Sequence, residues 1–576
     1  MNENEQYILN KIKEFETTFF DNNFKWRPGQ KEAIIEILLA YYNKTHNTII
    51  LDCPTGGGKS IIGMAVSWVL NQNNKTGYIL TSDIALQEQY ENDFKRYNFK
   101  WGSVKGIDNY ICIDNGEKNS LGTCRIRNII PNKMPCYKEC PYFKVRNMAA
   151  KTSTSLLNYA YWLIMMNYVY SRNNEESLFH PRDFTICDEA HKIVDIVQNH
   201  FSPQFDEKTL EKLEKFVHFF NLYKIKDHSI EFENIKENIK NLWDTENQDK
   251  LHSILLDIEH LFENFFSSIN TLKNKVQTEY SHEEPPKKWK EALYISDWLK
   301  DLHCKIEDFN DIIEKTSTRN LIKNPINNKE LRFNCLEESY LMNKYFHQWT
   351  GFIVLMSATI ADPIKYLKNI SLKNAKYIKV NSHFDFTKSP IYFYNQRKMT
   401  YDHIEKNLPW LYEKIDEILN KHENERGIIH SVSYDLTLKI YENISEKNRK
   451  RILIYSGTEE KKEVLSIFKR DKRKVLMGPS LLEGLDLRDD WSRFQIFAKI
   501  PYLSLSDKFV ATKLKINPDW YREKAILNIL QGTGRSIRNE NDWSITYILD
   551  GALSDLIHNS RKSFPVEFLN RIIVVK

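Results

Sequence analysis

The run Thr48-Ile49-Ile50-Leu51 leads, two residues later, into Pro54-Thr55-Gly56-Gly57-Gly58-Lys59-Ser60, and this junction constrains the fold more than any other feature. The β-branched run predicts a strand, the glycines a loop, and Ile61 onward a helix. In that order the three make a phosphate cradle. Glycines let backbone N–H groups approach the anion, and the helix N-terminus adds a favourable dipole. Thr55, Gly56, Gly57 and Gly58 are expected to line the phosphates. Lys59 should reach the β/γ-phosphates, and Ser60 should coordinate Mg²⁺. A plain glycine turn before a helix would not need the Lys-Ser pair at this offset. Cys53 stands where such loops usually open with Gly or Ala.

A second apolar run, Phe184-Thr185-Ile186-Cys187, ends in Asp188-Glu189-Ala190-His191. Carboxylates at a strand end can project beside bound phosphates, so Asp188 is expected to hold Mg²⁺ and Glu189 to polarise the attacking water. His191 reads as a coupling residue rather than a metal ligand. Near the C-terminus, Gln531-Gly532-Thr533-Gly534-Arg535-Ser536-Ile537-Arg538 carries two arginines at i and i+3, on one helical face. Permanently charged guanidinium suits the negative charge that develops in phosphoryl transfer. Alone, that motif would read as a solvated helix face; beside the loop and the box it reads as part of an NTP-driven motor.

At 576 residues the chain should hold more than one domain. Apolar runs recur at Gly77–Leu80, Phe352–Leu355, Gly427–His430, Ile452–Tyr455, Val475–Met477, Gln495–Phe497 and Ile545–Ile548. With the two runs above, they predict buried parallel strands separated by helices, in two sheets. Residues 200–345 differ. Leu210, Leu213, Val217 and Phe220 share one helical face, as do Leu251, Ile254, Leu255, Ile258, Leu261, Phe262 and Phe265, while strand runs are scarce. This stretch predicts a helical insertion. The N-terminus is polar and acidic, and no apolar stretch reaches the ~20 residues of a membrane span, so a cytoplasmic protein without a membrane partner is expected.

Four cysteines, Cys112, Cys124, Cys136 and Cys140, lie between the loop and the box. Structural zinc sites usually bring two closely spaced ligand pairs. Here only Cys136 and Cys140 are close. Spacing leaves zinc and an iron–sulfur centre both open, with a slight preference for the latter. The surrounding residues 95–151 contain twelve Lys and Arg against four Asp and Glu, a net of +8 in a chain whose total is +5. Arg125, Arg127, Lys133, Lys138, Lys144 and Arg146 could track phosphates, and Trp101, Tyr110, Tyr137, Tyr142 and Phe143 could stack on bases, with about half of those rings expected to be structural.

Taken in order, these motifs resemble the XPD/DinG family of superfamily-2 helicases, the branch with an iron–sulfur cluster in its first motor domain. Trp26-Arg27-Pro28-Gly29-Gln30 resembles the segment before the phosphate loop, which implies nucleotide contacts for Arg27 and Gln30. Thr81 to Gln89 resembles a motif facing DNA, Gly106 to Cys112 the entry into the cluster domain, and Asn158-Tyr159 the short motif before the box. Ser357-Ala358-Thr359 resembles the coupling motif, and Glu483-Gly484-Leu485-Asp486 and Gln531 to Arg538 the last two motifs. Trp543 departs from the pattern, standing where a glycine is common.

The resemblance implies an α/β fold of two RecA-like motor domains, with an iron–sulfur domain and a helical arch-like domain inserted in the first. The expected division is 1–105, 149–199 and 346–388 for the first motor domain, 106–148 for the cluster domain, 200–345 for the arch-like insertion and 389–576 for the second motor domain. It also implies ATP, Mg²⁺ and a [4Fe–4S] cluster held by the four cysteines. Lys59, Asp188, Glu189, Gln531, Arg535 and Arg538 would be catalytic, with Asp486 at the nucleotide. The expected enzyme is a monomeric motor moving 5′→3′ on single-stranded DNA and opening forked duplexes. Two rivals are a translocase that leaves duplexes closed and a zinc-stapled nucleic-acid-binding module with an inactive motor.

Overall fold

The structure, a computed structural model, describes residues 3–21, 24–54, 56–171, 177–280, 283–326, 329–360, 362–381, 385–455, 458–479, 489–534 and 542–576. Strands β1 (Thr48–Asp52), β2 (Gly77–Thr81), β3 (Gly102–Ser103), β4 (Thr154–Asn158) and β5 (Arg182–Cys187) begin a first large sheet. After β6 (Gln204–Asp206), β7 (Leu321–Ile326) and β8 (Glu330–Cys335), which pair with one another, β9 (Thr350–Ser357) and β10 (Ala375–Lys379) complete it. A second large sheet takes β11 (Ile391–Tyr394), β12 (Gly427–His430), β13 (Ile452–Leu453), β14 (Val475–Gly478), β15 (Phe494–Phe497), β16 (Ile545–Ile548) and β17 (Ile572–Val575).

The strand orders are β10-β1-β9-β5-β2-β4-β3 and β13-β14-β12-β15-β16-β11-β17, seven strands each. Every pairing within both sheets is parallel. This is the architecture of two RecA-like domains. Helices cover both faces of the first sheet, and its strands are apolar on both sides. Ile50, Leu80 and Leu355 enter one core, whereas Ile49, Leu51, Ile79 and Val354 enter the other. That is why these strands read as unbroken apolar runs rather than as alternation. All nine predicted runs are strands, though only Ile452–Leu453 of Ile452–Tyr455 pairs.

Between β6 and β7 come the helices Glu207–Leu222, Ser229–Asp244, Gln248–Glu263, Phe266–Glu279 and Lys287–Thr316. Their apolar faces, including Leu213, Phe216, Leu255, Ile258 and Phe262, join the core on one face of the first sheet. The stretch expected to be helical is not wholly so. β6, β8 and β7 form an antiparallel sheet at its ends. β7 reads Leu-Ile-Lys-Asn-Pro-Ile, and its lysine and proline hide the strand from a hydrophobicity scan. Lys323 is nonetheless buried, because its ammonium donates to the carbonyls of Leu242, Trp243 and Thr245.

Parallel strands bring all their carboxyl ends to one edge, where α/β proteins bind ligands. The turns after β1, β2, β5 and β9 therefore meet without any motif being near another in sequence. In register, Asp52 lies beside Ser357 and Cys187 beside Leu355.

Candidate active site

β1 delivers the glycine loop, and the helix Lys59–Asn71 departs from it. Gly58 caps that helix at φ 79°, and a Cβ there would lie 2.1 Å from Gln30 Nε2. Only glycine fits this position. Gln30 is buried, donates to the Gly57 carbonyl at 2.9 Å and accepts from the Arg27 backbone N–H at 2.8 Å; the Arg27 guanidinium donates to the Gly56 carbonyl. Arg27 and Gln30 thus clamp the loop from behind. Cys53 is fully buried, and its Sγ would lie 2.6 Å from any Cβ at Gly57. Thr55 lies outside the described residues.

Lys59 Nζ is 3.0 Å from Glu189 Oε1 and 3.5 Å from Asp188 Oδ1. Burial works against the ammonium, but the two carboxylates outweigh it and hold its pKa above the usual lysine value. Burial raises the Asp188 carboxyl against the pull of Lys59, while burial at Glu189 is overcome by Lys59 and His191, and that carboxyl is lowered. Two carboxylates share one ammonium, and the nearer stays ionised more readily. Glu189 sits at φ 51°, a left-handed conformation unusual for a non-glycine residue. Asp188 is held by Tyr90, whose hydroxyl donates to Oδ2 at 2.8 Å, and Ser60 Oγ donates to Asp93 Oδ2 at 2.7 Å.

His191 joins the two sheets. One ring nitrogen, Nδ1, is 2.8 Å from Ser357 Oγ at the end of β9. The other, Nε2, meets the side-chain amide of Gln531, on the helix Pro518–Thr533 of the second sheet. An amide N–H facing Nε2 requires that nitrogen to accept, so Nδ1–H donates to Ser357. Burial lowers the His191 pKa to about 4, consistent with a neutral ring.

An open cleft of about 760 Å³ collects Lys59, Ser60, Asp188, Glu189, Thr359 and Gln531. Tyr90, Asp93 and Arg96 also line it and were not singled out from sequence. Their i, i+3, i+6 spacing on the helix Ile84–Arg96 was the available signal. Asp486, Arg535 and Arg538 lie outside the described residues, as does the whole Glu483–Asp486 motif. Gln87, within the motif expected to face DNA, is fully buried and donates to Ser103 Oγ and to the Val104 and Leu156 carbonyls. Asn158 donates to Gln87, and the Tyr159 hydroxyl donates to the Asp188 carbonyl.

The four cysteines line a single small pocket of about 10 Å³. Among the described residues they do not form a set whose sulfurs all lie within 4.8 Å of one another. Two buried polar atoms at this pocket, Asn119 Nδ2 and Thr123 Oγ1, have no hydrogen-bond partner. Both can donate, which suits an anionic sulfur-rich occupant. Tyr142 and Phe143 are buried, Tyr137 packs on Phe143, Tyr110 on Tyr142, and Trp101 on Phe94. All five rings have structural neighbours, more than the half expected. Arg125, Lys133, Lys138 and Lys144 are exposed.

Residues 23–217 match the family model of the type III restriction enzyme res subunit, and residues 415–567 that of the helicase C-terminal domain. A "Probable ATP-dependent helicase" of Methanocaldococcus jannaschii is 23% identical, with 92% of each chain covered. The ATP-dependent DNA helicase YoaA of Haemophilus influenzae is 22% identical over 92% of this chain and 91% of its own. Among solved structures, an XPD helicase aligns over 96% of this chain and 100% of its own, with a TM-score of 0.62 at 17% identity. Xpd4 of S. tokodaii aligns over 95% and 99%, with a TM-score of 0.59 at 15% identity. Two motor sheets, a glycine loop and acidic box in one cleft, and relatives of this kind along nearly the whole length agree on an ATP-dependent helicase of XPD/DinG type.

Proposed function

We propose that this helicase acts on DNA, moves 5′→3′ along one bound strand and carries a [4Fe–4S] centre where the duplex parts. The contact between Gln531 and His191 supports the motor at its base, because it ties the second sheet directly to the acidic box. Lys59 neutralises the β/γ-phosphates once the carboxylates that now hold it turn to their own tasks. Asp188, steadied by Tyr90, holds Mg²⁺ with Ser60, which must first leave Asp93. Glu189 orients the attacking water. Arg27, Gln30, Thr55 to Gly58 and Asp486 complete the nucleotide site, and Arg535 and Arg538 stabilise charge from the opposite lobe. Separating a base pair costs about 1.4 kcal/mol of stacking, so closure of the cleft must be coupled to a change of grip on the strand.

Cys112, Cys124, Cys136 and Cys140 hold the cluster. A cube needs four thiolates and tolerates ligands as dispersed along the chain as these, whereas structural zinc sites usually bring two closely spaced pairs. Bound there, the cluster would cross-link the segment through four thiolates. In this reading 106–148 and 200–345 are insertions in the first motor domain, and the monomer is the working unit. YoaA, described as a DNA helicase, supports DNA as the substrate.

Strand displacement on 5′- and 3′-tailed duplexes, with iron measured on the same sample, tests the proposal. Unwinding of the 5′-tailed substrate alone, by protein with about four irons per chain, is the expected result. ATP hydrolysis without displacement would leave a translocase, 3′-tailed preference would reverse the polarity, and zinc in place of iron would end the cluster assignment.

A further inference from the structure

Three carboxylates and a histidine meet in the helical stretch, far in sequence from the four cysteines. Glu259 and Glu263 are one turn apart on the helix Gln248–Glu263, and His303 and Glu307 one turn apart on the facing helix Lys287–Thr316. The i, i+4 spacing puts each pair on one face. A ring nitrogen of His303 and carboxylate oxygens of Glu259 and Glu263 lie within 4.8 Å of one another.

His303 is only 5% exposed, and its Nε2 is a fully buried nitrogen with no hydrogen-bond partner. The Glu263 carboxylate is 3.9 Å from that nitrogen, too far for a hydrogen bond. Buried polar atoms are rarely left so. On the opposite ring edge, Nδ1 stands 3.9 Å from Glu307 Oε2, likewise beyond hydrogen-bond length, a gap that slight closure around an ion would have to take up. A ligating histidine commonly offers its second ring N–H to a carboxylate, which fixes the tautomer. Glu259 is itself positioned by Asn310, whose amide donates to Oε2 at 2.6 Å.

We infer that Glu259, Glu263 and His303 Nε2 bind a first-row divalent cation of the zinc type, with Glu307 and Asn310 as supporting partners. One imidazole and two carboxylates suit zinc better than magnesium, which prefers oxygen donors and its own waters. Bonds near 2.0–2.2 Å would draw the three ligands somewhat closer than they now stand. The ion would pin the two helices together at their polar seam, beside the apolar contacts that Leu255, Ile258 and Ile306 already supply.

Zn²⁺ titration of the full chain, purified with its cysteine centre intact, tests this by calorimetry. The C136S variant and the double variant E259Q/E263Q are titrated alongside. Wild type and C136S should both bind one Zn²⁺ at this site, and E259Q/E263Q should bind it at least tenfold more weakly. E307Q should weaken it 10–100-fold, the usual effect of losing a supporting partner. Mg²⁺ should not compete at equal concentration. Equal Zn²⁺ binding by wild type and E259Q/E263Q would overturn the inference, as would binding that disappears in C136S. His303 stays in place throughout, so the core around it is undisturbed.

Discussion

Lys59, Asp188 and Glu189 form a closed set of charges, and each explains the next. Without the ammonium, two adjacent carboxylates, one buried and one partly buried, would repel, and one would take up a proton. Lys59→Ala should therefore abolish ATP hydrolysis and also raise the carboxyl pKa values, while DNA binding persists; retained DNA-stimulated hydrolysis would remove Lys59 from the mechanism. Glu189→Gln keeps the size and the left-handed backbone position but removes the carboxylate proposed to orient the water. Turnover should fall about 10²–10⁴-fold with ATP binding intact, measured by single-turnover hydrolysis beside nucleotide titration.

His191 adds a pH dependence. Unfolded, it takes up a proton below about 6.5, whereas the folded ring resists until about 4. The unfolded state binds more protons across that window, so stability falls as the pH drops through it, by about 3 kcal/mol from this residue. Protonated Nε2 would also face the Gln531 amide N–H and lose that contact. Urea denaturation of His191→Gln between pH 6.5 and 4 should show a flatter profile than wild type.

At the scale of elements, the first sheet was open to reading because both its faces are covered, leaving apolar runs that announce themselves. β7 was not, because its lysine is satisfied from a distance. The carbonyls of Leu242, Trp243 and Thr245 come from the C-terminal end of the helix Ser229–Asp244, about 80 residues away in the chain. Lys323→Met should leave those carbonyls without their donor and destabilise the small sheet by about 1–3 kcal/mol. Hydrogen exchange in β6, β7 and β8 would report it; unchanged protection there would show that the lysine is incidental. Gln87 teaches the same lesson. Its sequence neighbours suggested a surface motif, yet its amide fastens β3 and β4 to the helix Ile84–Arg96.

At the scale of the whole molecule, ion pairs bridge the two lobes beside the Gln531–His191 contact. Lys365 meets Asp519 and Glu523, Lys524 meets Asp195, and Lys513 meets Glu338. The more exposed of these, Lys365–Asp519 and Lys524–Asp195, contribute roughly 0–1 kcal/mol each, weak enough to be remade as a cleft opens and closes, whereas Lys513 and Glu338 are largely buried. The cysteine pocket lies outside that cleft, with no residue lining both. Cys136→Ser should accordingly cost unwinding far more than ATP hydrolysis, with iron lost; unwinding that survives the loss of iron would show the cluster to be dispensable.

The sequence by itself determined the parallel sheets, the phosphate loop, the acidic box and the four thiols, because each is a local pattern whose chemistry depends on neighbours in the chain. Only the tertiary structure decided that Tyr90 and Asp93 hold Asp188 and Ser60, that His191 reaches across to Gln531, and that His303 faces Glu263 with a bare nitrogen. Those are contacts between separate elements. Their geometry is set by how strands align and helices pack, and no spacing along the chain encodes it.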